Sequence, residues 1–302
     1  MNKEIFKIVI NKSQDGKTIK QILTSELQLS NRIIKNIKSV NGIKVNSINQ
    51  NINFVVKFND ILELNIKDEV SENIIPQEMP LDILYEDKDI LVINKPLGLV
   101  VHPTAFYNKD TLANGVMYYY NQIGLSTKFR PVNRLDKDTS GIILIAKTQI
   151  CHYNLSKQMI NKTFIKEYIA VVHNALDEID GIISLPITRN PKSLIERVVN
   201  VCGQEAVTEY HVICQNAFSS VIRIILLTGR THQIRVHFSH TGHPLFGDSL
   251  YGIPDDLISR QALHCISLSF NHPSNNTSLK FESTIPSDIN YLIKKLNLDV
   301  LL

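Results

Sequence analysis

The chain lacks any apolar run approaching the roughly 18 residues needed to span a bilayer. Its first residues, Met1 to Ile10, mix polar and apolar side chains and have no continuous signal-peptide core. Together these absences exclude a membrane-embedded protein and lead to the expectation of a cytoplasmic one. Cysteine is sparse and scattered: Cys151, Cys202, Cys214 and Cys265 include no Cys-x-x-Cys pair, which argues against a zinc ribbon or a dithiol redox motif. The expectation is isolated thiols in a reducing compartment. No internal repeat, low-complexity tract or heptad run is present, so solenoid and coiled-coil architectures are set aside.

What is present describes an ordinary globular protein. Hydrophobic residues make up 43% and charged residues 20% of 302, which is enough chain for two domains and a sizeable core. The net charge of +3 is unevenly placed. Residues 1–70 carry 11 Lys+Arg against 7 Asp+Glu, and the remainder carry 21 against 22. A basic N-terminal module beside a near-neutral larger part suits a polyanionic partner.

Lys17 to Gln28 sets Ile19, Ile22, Leu23 and Leu27 at helical spacing. Ser30 can cap a second helix with Ile33, Ile34 and Ile37 inward and Arg32, Lys35 and Lys38 outward. After the Asn41-Gly42 turn, strands are expected at 43–45, 53–58 and 61–66. Residues 67–80, polar and with two prolines, read as a linker. Beyond it, strands are expected at 83–85, 90–94, 141–147, 166–173, 206–214 and 219–227. Helices are expected at 111–120, 148–162, 231–241 and 287–296, with Thr111, Thr148 and Thr231 as N-caps and Gly242 as a stop. The mixture is α+β, and the strands are too irregularly spaced for a doubly wound sheet.

The segment Asn133-Arg134-Leu135-Asp136-Lys137-Asp138-Thr139-Ser140-Gly141 runs directly into the apolar stretch 142–146, so Asp136 is expected on a tight loop at the mouth of a buried strand. Four other segments accompany it: Asn94 to Pro103, Lys166 to Ala170, Thr228 to His237 and Gly242 to Asp248. In order and spacing the set resembles the pseudouridine synthases of the RluA type, the group that includes RluC and RluD. Residues 12–66, with Asn31 to Lys35, Gly42 to Asn46 and Asp60 to Leu62, resemble the S4 RNA-binding domain. The resemblance implies an S4-like domain at 12–70, a linker at 71–80 and a catalytic domain with a mixed, largely antiparallel sheet at 81–302.

It further implies isomerisation of uridine to pseudouridine in structured RNA, with large-subunit ribosomal RNA as the expected substrate and transfer RNA as the alternative. Asp136 would be the catalytic aspartate, Tyr168 the base-stacking tyrosine and Arg235 the basic partner of the aspartate. The chemistry agrees with those roles. The N1–C1′ bond breaks, the uracil turns, and C5 takes the place of N1. No redox change or hydrolysis occurs, so no cofactor and no metal are expected. An ionised carboxylate is needed either to attack the nucleoside or to stabilise positive charge at C1′. Burial would push that carboxylate toward its neutral form, and a guanidinium fork such as Arg235 reverses the tendency. Tyr168 offers a ring for the uracil. A base inside a helix must first be extruded, and Arg134 is the candidate to fill the vacated stack. Arg230 suits a phosphate or the holding of its own loop. His232 shares a helix face with Arg235. Arg32, Lys35, Lys38 and Lys44 would add backbone affinity in the S4-like module. A monomer is expected.

Two departures from the family pattern stand out. Asn133 replaces a frequent histidine and cannot titrate, and the loop Thr104 to Asp110 lacks an expected glycine. Three rivals are weighed against the isomerase. His237, His240 and His243 form a dense imidazole series, but steps of three place successive histidines about 300° apart on a helix and His243 lies past Gly242, which disfavours a metal site. A non-catalytic RNA-binding protein would survive Asp136→Asn unchanged, and a glycosylase would release free uracil.

Overall fold

A computed structural model describes residues 4–27, 29–66, 74–104, 107–253 and 255–298. Residues 67–73 of the expected linker, Gln28 at the end of the first expected helix, and Ala105 and Phe106 of the glycine-less loop lie outside them. The chain divides into two compact units, Met1–Asn73 with Tyr119–Phe129, and Ile74–Tyr118 with Arg130–Leu302.

The smaller unit is α/β. Its strands β1 (Glu4–Val9), β2 (Ile43–Val45), β3 (Ile48–Asn49) and β4 (Ile61–Ile66) form an antiparallel sheet in the order β1-β4-β2-β3. Strand β1 comes from the polar opening segment, where no element was expected. Thr18 opens α1 (Ile19–Gln21) with a reciprocal capping box, its hydroxyl accepting from Gln21 N while Gln21 Oε1 accepts from Thr18 N. The helix then widens into a π turn over Ile22–Glu26. Ser30 caps α2 (Asn31–Ser39), which buries Ile33, Ile34 and Ile37 as its spacing requires. Gly42 allows α2 to turn back under the sheet: a Cβ there would meet the Asn65 carbonyl oxygen at 2.1 Å.

The strand expected at 53–58 does not form. Its backbone is engaged elsewhere, because Phe54, Ile52 and Val56 carbonyls accept from Ile19, Lys20 and Gly16, and only Thr18 and Val55 bridge. The Asn46 side chain instead ties the hairpin to β4, donating to Asp60 Oδ1 and accepting from Ile61 N.

The larger unit is built on β5 (Ile83–Glu86), β6 (Ile90–Lys95), β7 (Ser140–Ala146), β8 (Ile165–His173), β9 (Asp180–Ser184), a separate hairpin β10 (Ile187–Arg189) and β11 (Arg197–Val199), then β12 (Val207–Asn216), β13 (Ser219–Leu226), β14 (Leu263–Asn271) and β15 (Ser278–Glu282). Nine of these strands form one sheet in the order β5-β6-β7-β14-β8-β13-β12-β9, with β15 on β14. Among the described residues, β7 and β14 are the one pair of neighbouring strands in this sheet that runs parallel. Every residue of β7 is buried, as a strand covered on both faces should be. The helices are α3 (Leu112–Gln122), α4 (Gln149–Ile160), α5 (Gln233–His240) and α6 (Ser287–Lys295). Ile289, Leu292 and Ile293 of α6 pack with Ile169, Val171 and Val221 in the core. Ile75 and Gln77, read as linker, are instead fixed to α3: Asn114 Nδ2 donates to the Ile75 carbonyl and Gln77 N to that of Asn114.

No helix among the described residues is long and apolar enough to cross a membrane.

Candidate active site

Asp136 stands where the sequence places it, on the loop that feeds β7. Three tethers shape that loop. Asn133 donates from Nδ2 to the Ile142 carbonyl and accepts from Leu144 N, so its amide acts as a substitute ladder partner for β7. That structural employment accounts for a non-titrating residue at this position. Gly141, at φ +117°, lets β7 approach β14, since a Cβ would meet the Cys265 carbonyl oxygen at 2.2 Å. Lys95, fully buried at the end of β6, sends its three N–H groups to the carbonyls of Pro96, Leu99 and Lys137 at 2.7, 3.0 and 3.0 Å. Burial pushes its pKa down to about 7, against the upward pull of Asp138 and Asp136. The Lys137 carbonyl belongs to the residue after Asp136, so this ammonium anchors the loop itself.

Arg235 projects from α5 and bridges two carboxylates. Nη1 donates to Asp136 Oδ2 at 3.1 Å, while Nε and Nη2 grip Asp248 in a bidentate pair at 2.7 Å each. Burial works against its charge, but Asp248 and then Asp136 overcome it and hold the guanidinium pKa above its ordinary value. Asp248 is wholly enclosed, its Oδ1 also accepting from Leu250 N and Tyr251 N. Burial would raise its pKa, yet Arg235 and those backbone donors bring it below the usual carboxylate value. Asp136 differs: 26% of its side chain is exposed, so one of the two carboxylates on Arg235 is open to a ligand and the other is sealed.

His232 does not sit in the helix as expected. Thr231 is not the cap; α5 begins at Gln233, and His232 occupies the N-cap position in the left-handed conformation at φ 59°. This turns its ring toward the loop rather than along the helix, with Nε2 3.9 Å from Asp136 Oδ2. Burial keeps its pKa below the ordinary imidazole value, Arg235 adding to the effect and Asp136 opposing it. Tyr251 lies beneath both groups, its hydroxyl 2.8 Å from His232 Nδ1 and its ring 5.1 Å from the Arg235 guanidinium carbon.

Tyr168, central in β8, completes the enclosure. It is 4% exposed, its hydroxyl meets the Cys265 thiol, and burial first and then Cys265 and Asp136 raise its pKa well above the phenol value. Burial likewise pushes Cys265 up to about 12. A small open cleft, with a cavity volume of about 60 Å³, is lined by Arg134, Asp136, Tyr168, Arg230, His232 and Arg235, so six side chains far apart in the sequence converge. Arg134 is exposed and makes no hydrogen bond or ion pair among the described residues. Arg230 donates from Nε to the Glu205 carbonyl, which favours the loop-holding alternative. Arg32, Lys35, Lys38 and Lys44 are in the smaller unit, all exposed, three on the outer face of α2 and one on β2.

Lys95, Asp248, Tyr251 and Cys265 also belong to this site, although the sequence alone gives them no role in it. Asp248 and Lys95 lie in the motif segments Gly242 to Asp248 and Asn94 to Pro103, where a charged residue was the available signal. Cys265 carried none. Of the histidine series, His237 is engaged at both nitrogens by Thr208 Oγ1 and the Leu185 carbonyl.

Residues 89–240 match the RNA pseudouridylate synthase family. The chain is 41% identical to the uncharacterized RNA pseudouridine synthase YjbO of Bacillus subtilis over 92% of its own length and 98% of that protein's. It is 34% identical to ribosomal large subunit pseudouridine synthase D of Yersinia pestis, covering 96% and 94% of the two chains. The solved structure of human RNA pseudouridylate synthase domain containing 4 shares the fold, with a TM-score of 0.59 at 22% identity over 72% of this chain and 94% of that one. On the family match and this near full-length identity, the chain belongs to the RNA pseudouridylate synthases, isomerases that act on RNA.

Proposed function

We propose that this enzyme converts particular uridines of large-subunit ribosomal RNA to pseudouridine, with Asp136 as the reactive carboxylate. The observation that carries the reading is the shared Arg235: its guanidinium is held by enclosed Asp248 and presents its remaining edge to half-open Asp136 at 3.1 Å. A positive group fixed in this way orients the carboxylate without reorganisation during reaction, which is the condition for effective electrostatic catalysis. Atoms balance without a co-reactant. C1′ loses its bond to N1 and gains one to C5, the C5 proton leaves, and N1 ends protonated.

The target nucleotide leaves its stack and enters the cleft, where the Tyr168 ring receives the uracil face. Exposed Arg134 fills the gap left in the RNA. The smaller unit serves as an S4-type module and holds the RNA backbone through Arg32, Lys35, Lys38 and Lys44. The protein works as a monomer. Ribosomal RNA is favoured over transfer RNA by the 34% identity to a synthase named for the large subunit.

Carbodiimide mapping of ribosomal and transfer RNA from cells lacking the gene, against wild type, tests the reading. Missing stops in large-subunit RNA are expected. Missing stops in transfer RNA alone would overturn the substrate assignment.

A further inference from the structure

Tyr251 lies outside the motif residues that carry the chemistry, yet five separate interactions meet on it. Its hydroxyl accepts a hydrogen bond from Arg197 N at 2.7 Å. The same hydroxyl lies 2.8 Å from His232 Nδ1. Its ring supports the Arg235 guanidinium at 5.1 Å. Its own backbone is pinned, N–H to Asp248 Oδ1 and carbonyl to Ser239 Oγ.

The proton inventory around this hydroxyl decides the state of His232. A phenol has one proton to give. The Arg197 peptide already donates to the oxygen, and the phenol proton finds its acceptor when His232 Nδ1 carries a lone pair. The neutral imidazole therefore carries its hydrogen on Nε2. That nitrogen lies 3.9 Å from Asp136 Oδ2, where an N–H is attractive and a lone pair would be repelled. Two independent contacts thus select one tautomer.

We propose that Tyr251 is a positioning residue for the isomerisation: it fixes His232 as a hydrogen-bond donor facing Asp136 and the nucleotide that Asp136 engages. The inference rests on the assignment of Asp136 as the reactive carboxylate. His232 then cannot serve as a base toward Asp136; it holds a donor at the edge of the cleft. The hydroxyl acts on His232 and the ring on Arg235, so the two actions can be separated. Tyr251→Phe removes the hydroxyl's contacts with His232 and Arg197 N and keeps the ring on Arg235, and the His232→Ala background separates the His232 part from the rest.

The test combines spectroscopy with rates. In ¹⁵N-histidine-labelled full-length protein at pH 8, the His232 signal, assigned by its loss in His232→Ala, is expected to show the Nε2–H pattern. In Tyr251→Phe the Nδ1–H form should gain population. Single-turnover tritium release is then measured on total RNA from gene-deleted cells grown in [5-³H]uridine. Tyr251→Phe should slow release about five- to tenfold, the effect of losing one positioning hydrogen bond, and cost nothing further in a His232→Ala background. An Nδ1–H pattern in the wild type, a Tyr251→Phe rate equal to wild type, or an undiminished effect in the His232→Ala background would each overturn the proposal. Asp136→Asn run in parallel separates the two readings, because an active Asp136→Asn would remove the assignment of Asp136 while leaving the spectroscopic result to judge Tyr251.

Discussion

At the scale of single residues, the site depends on how one guanidinium is shared. Arg235 is almost fully buried and its neutrality is out of reach, so Asp248 is the partner that makes burial tolerable. Replacing Asp248 with Asn should strand that charge and cost about 3–5 kcal/mol of stability, measured by urea unfolding. It should also lower turnover by releasing Arg235 from the geometry that faces Asp136. Lys95 makes a similar case in reverse. Lys95→Met would leave three carbonyls without their donor, and a loss of about 1–3 kcal/mol is expected together with slower tritium release. Of these groups, Asp136, Tyr168 and Arg235 were legible from motif resemblance, and their convergence is a matter of fold. Asp248 carries no role that the sequence can show, because an acid thirteen residues past Arg235 signals nothing until the chain returns upon itself. Tyr251 was invisible for the same reason.

At the scale of elements, local signals were legible wherever local physics decides. Ser30 and Thr148 cap their helices as expected, with Ile33 N and Cys151 N as the hydrogen-bond donors. The buried run 142–146 became a strand covered on both faces. The failures have tertiary causes. Residues 53–58 satisfy their backbone against the turn before α1 instead of a neighbouring strand. Strand β14, the parallel partner of β7, escaped notice because His264 and Ser267 interrupt its apolar pattern, although both are buried. His232 stands outside the helix because it takes the left-handed conformation at the N-cap, and its ring is held there by Tyr251. The basic face of α2 carries its own prediction. Changing Arg32, Lys35, Lys38 and Lys44 together to Gln should weaken RNA binding and reduce the slope of log affinity against log salt by about 3, with single-turnover chemistry on saturating RNA little altered. An unchanged slope would mean that this face is merely solvated.

At the scale of the whole molecule, the buried imidazoles set how stability responds to acid. Burial lowers the pKa of His264 to about 4, and lowers those of His152, His173, His232 and His237 as well. Each binds its proton in the unfolded chain before it does so in the folded one. The imidazoles therefore cost nothing above the ordinary value of 6.5 and lower stability as pH falls toward about 4. His264 alone accounts for about 3 kcal/mol of that decline. The carboxylates Asp248 and Asp288, with pKa values lowered from 3.8, keep their contribution through this window and lose it only below. Urea unfolding at pH 7.5 and 4.5 should show the loss, and His264→Gln should reduce it.

The central claim is that an RNA-bound nucleoside reacts at the Asp136 carboxylate. The most direct measurement is single-turnover tritium release by Asp136→Asn, with RNA affinity recorded on the same sample. Release slowed by about 10⁴-fold or more at unchanged affinity is the predicted result. Release at the wild-type rate would contradict it.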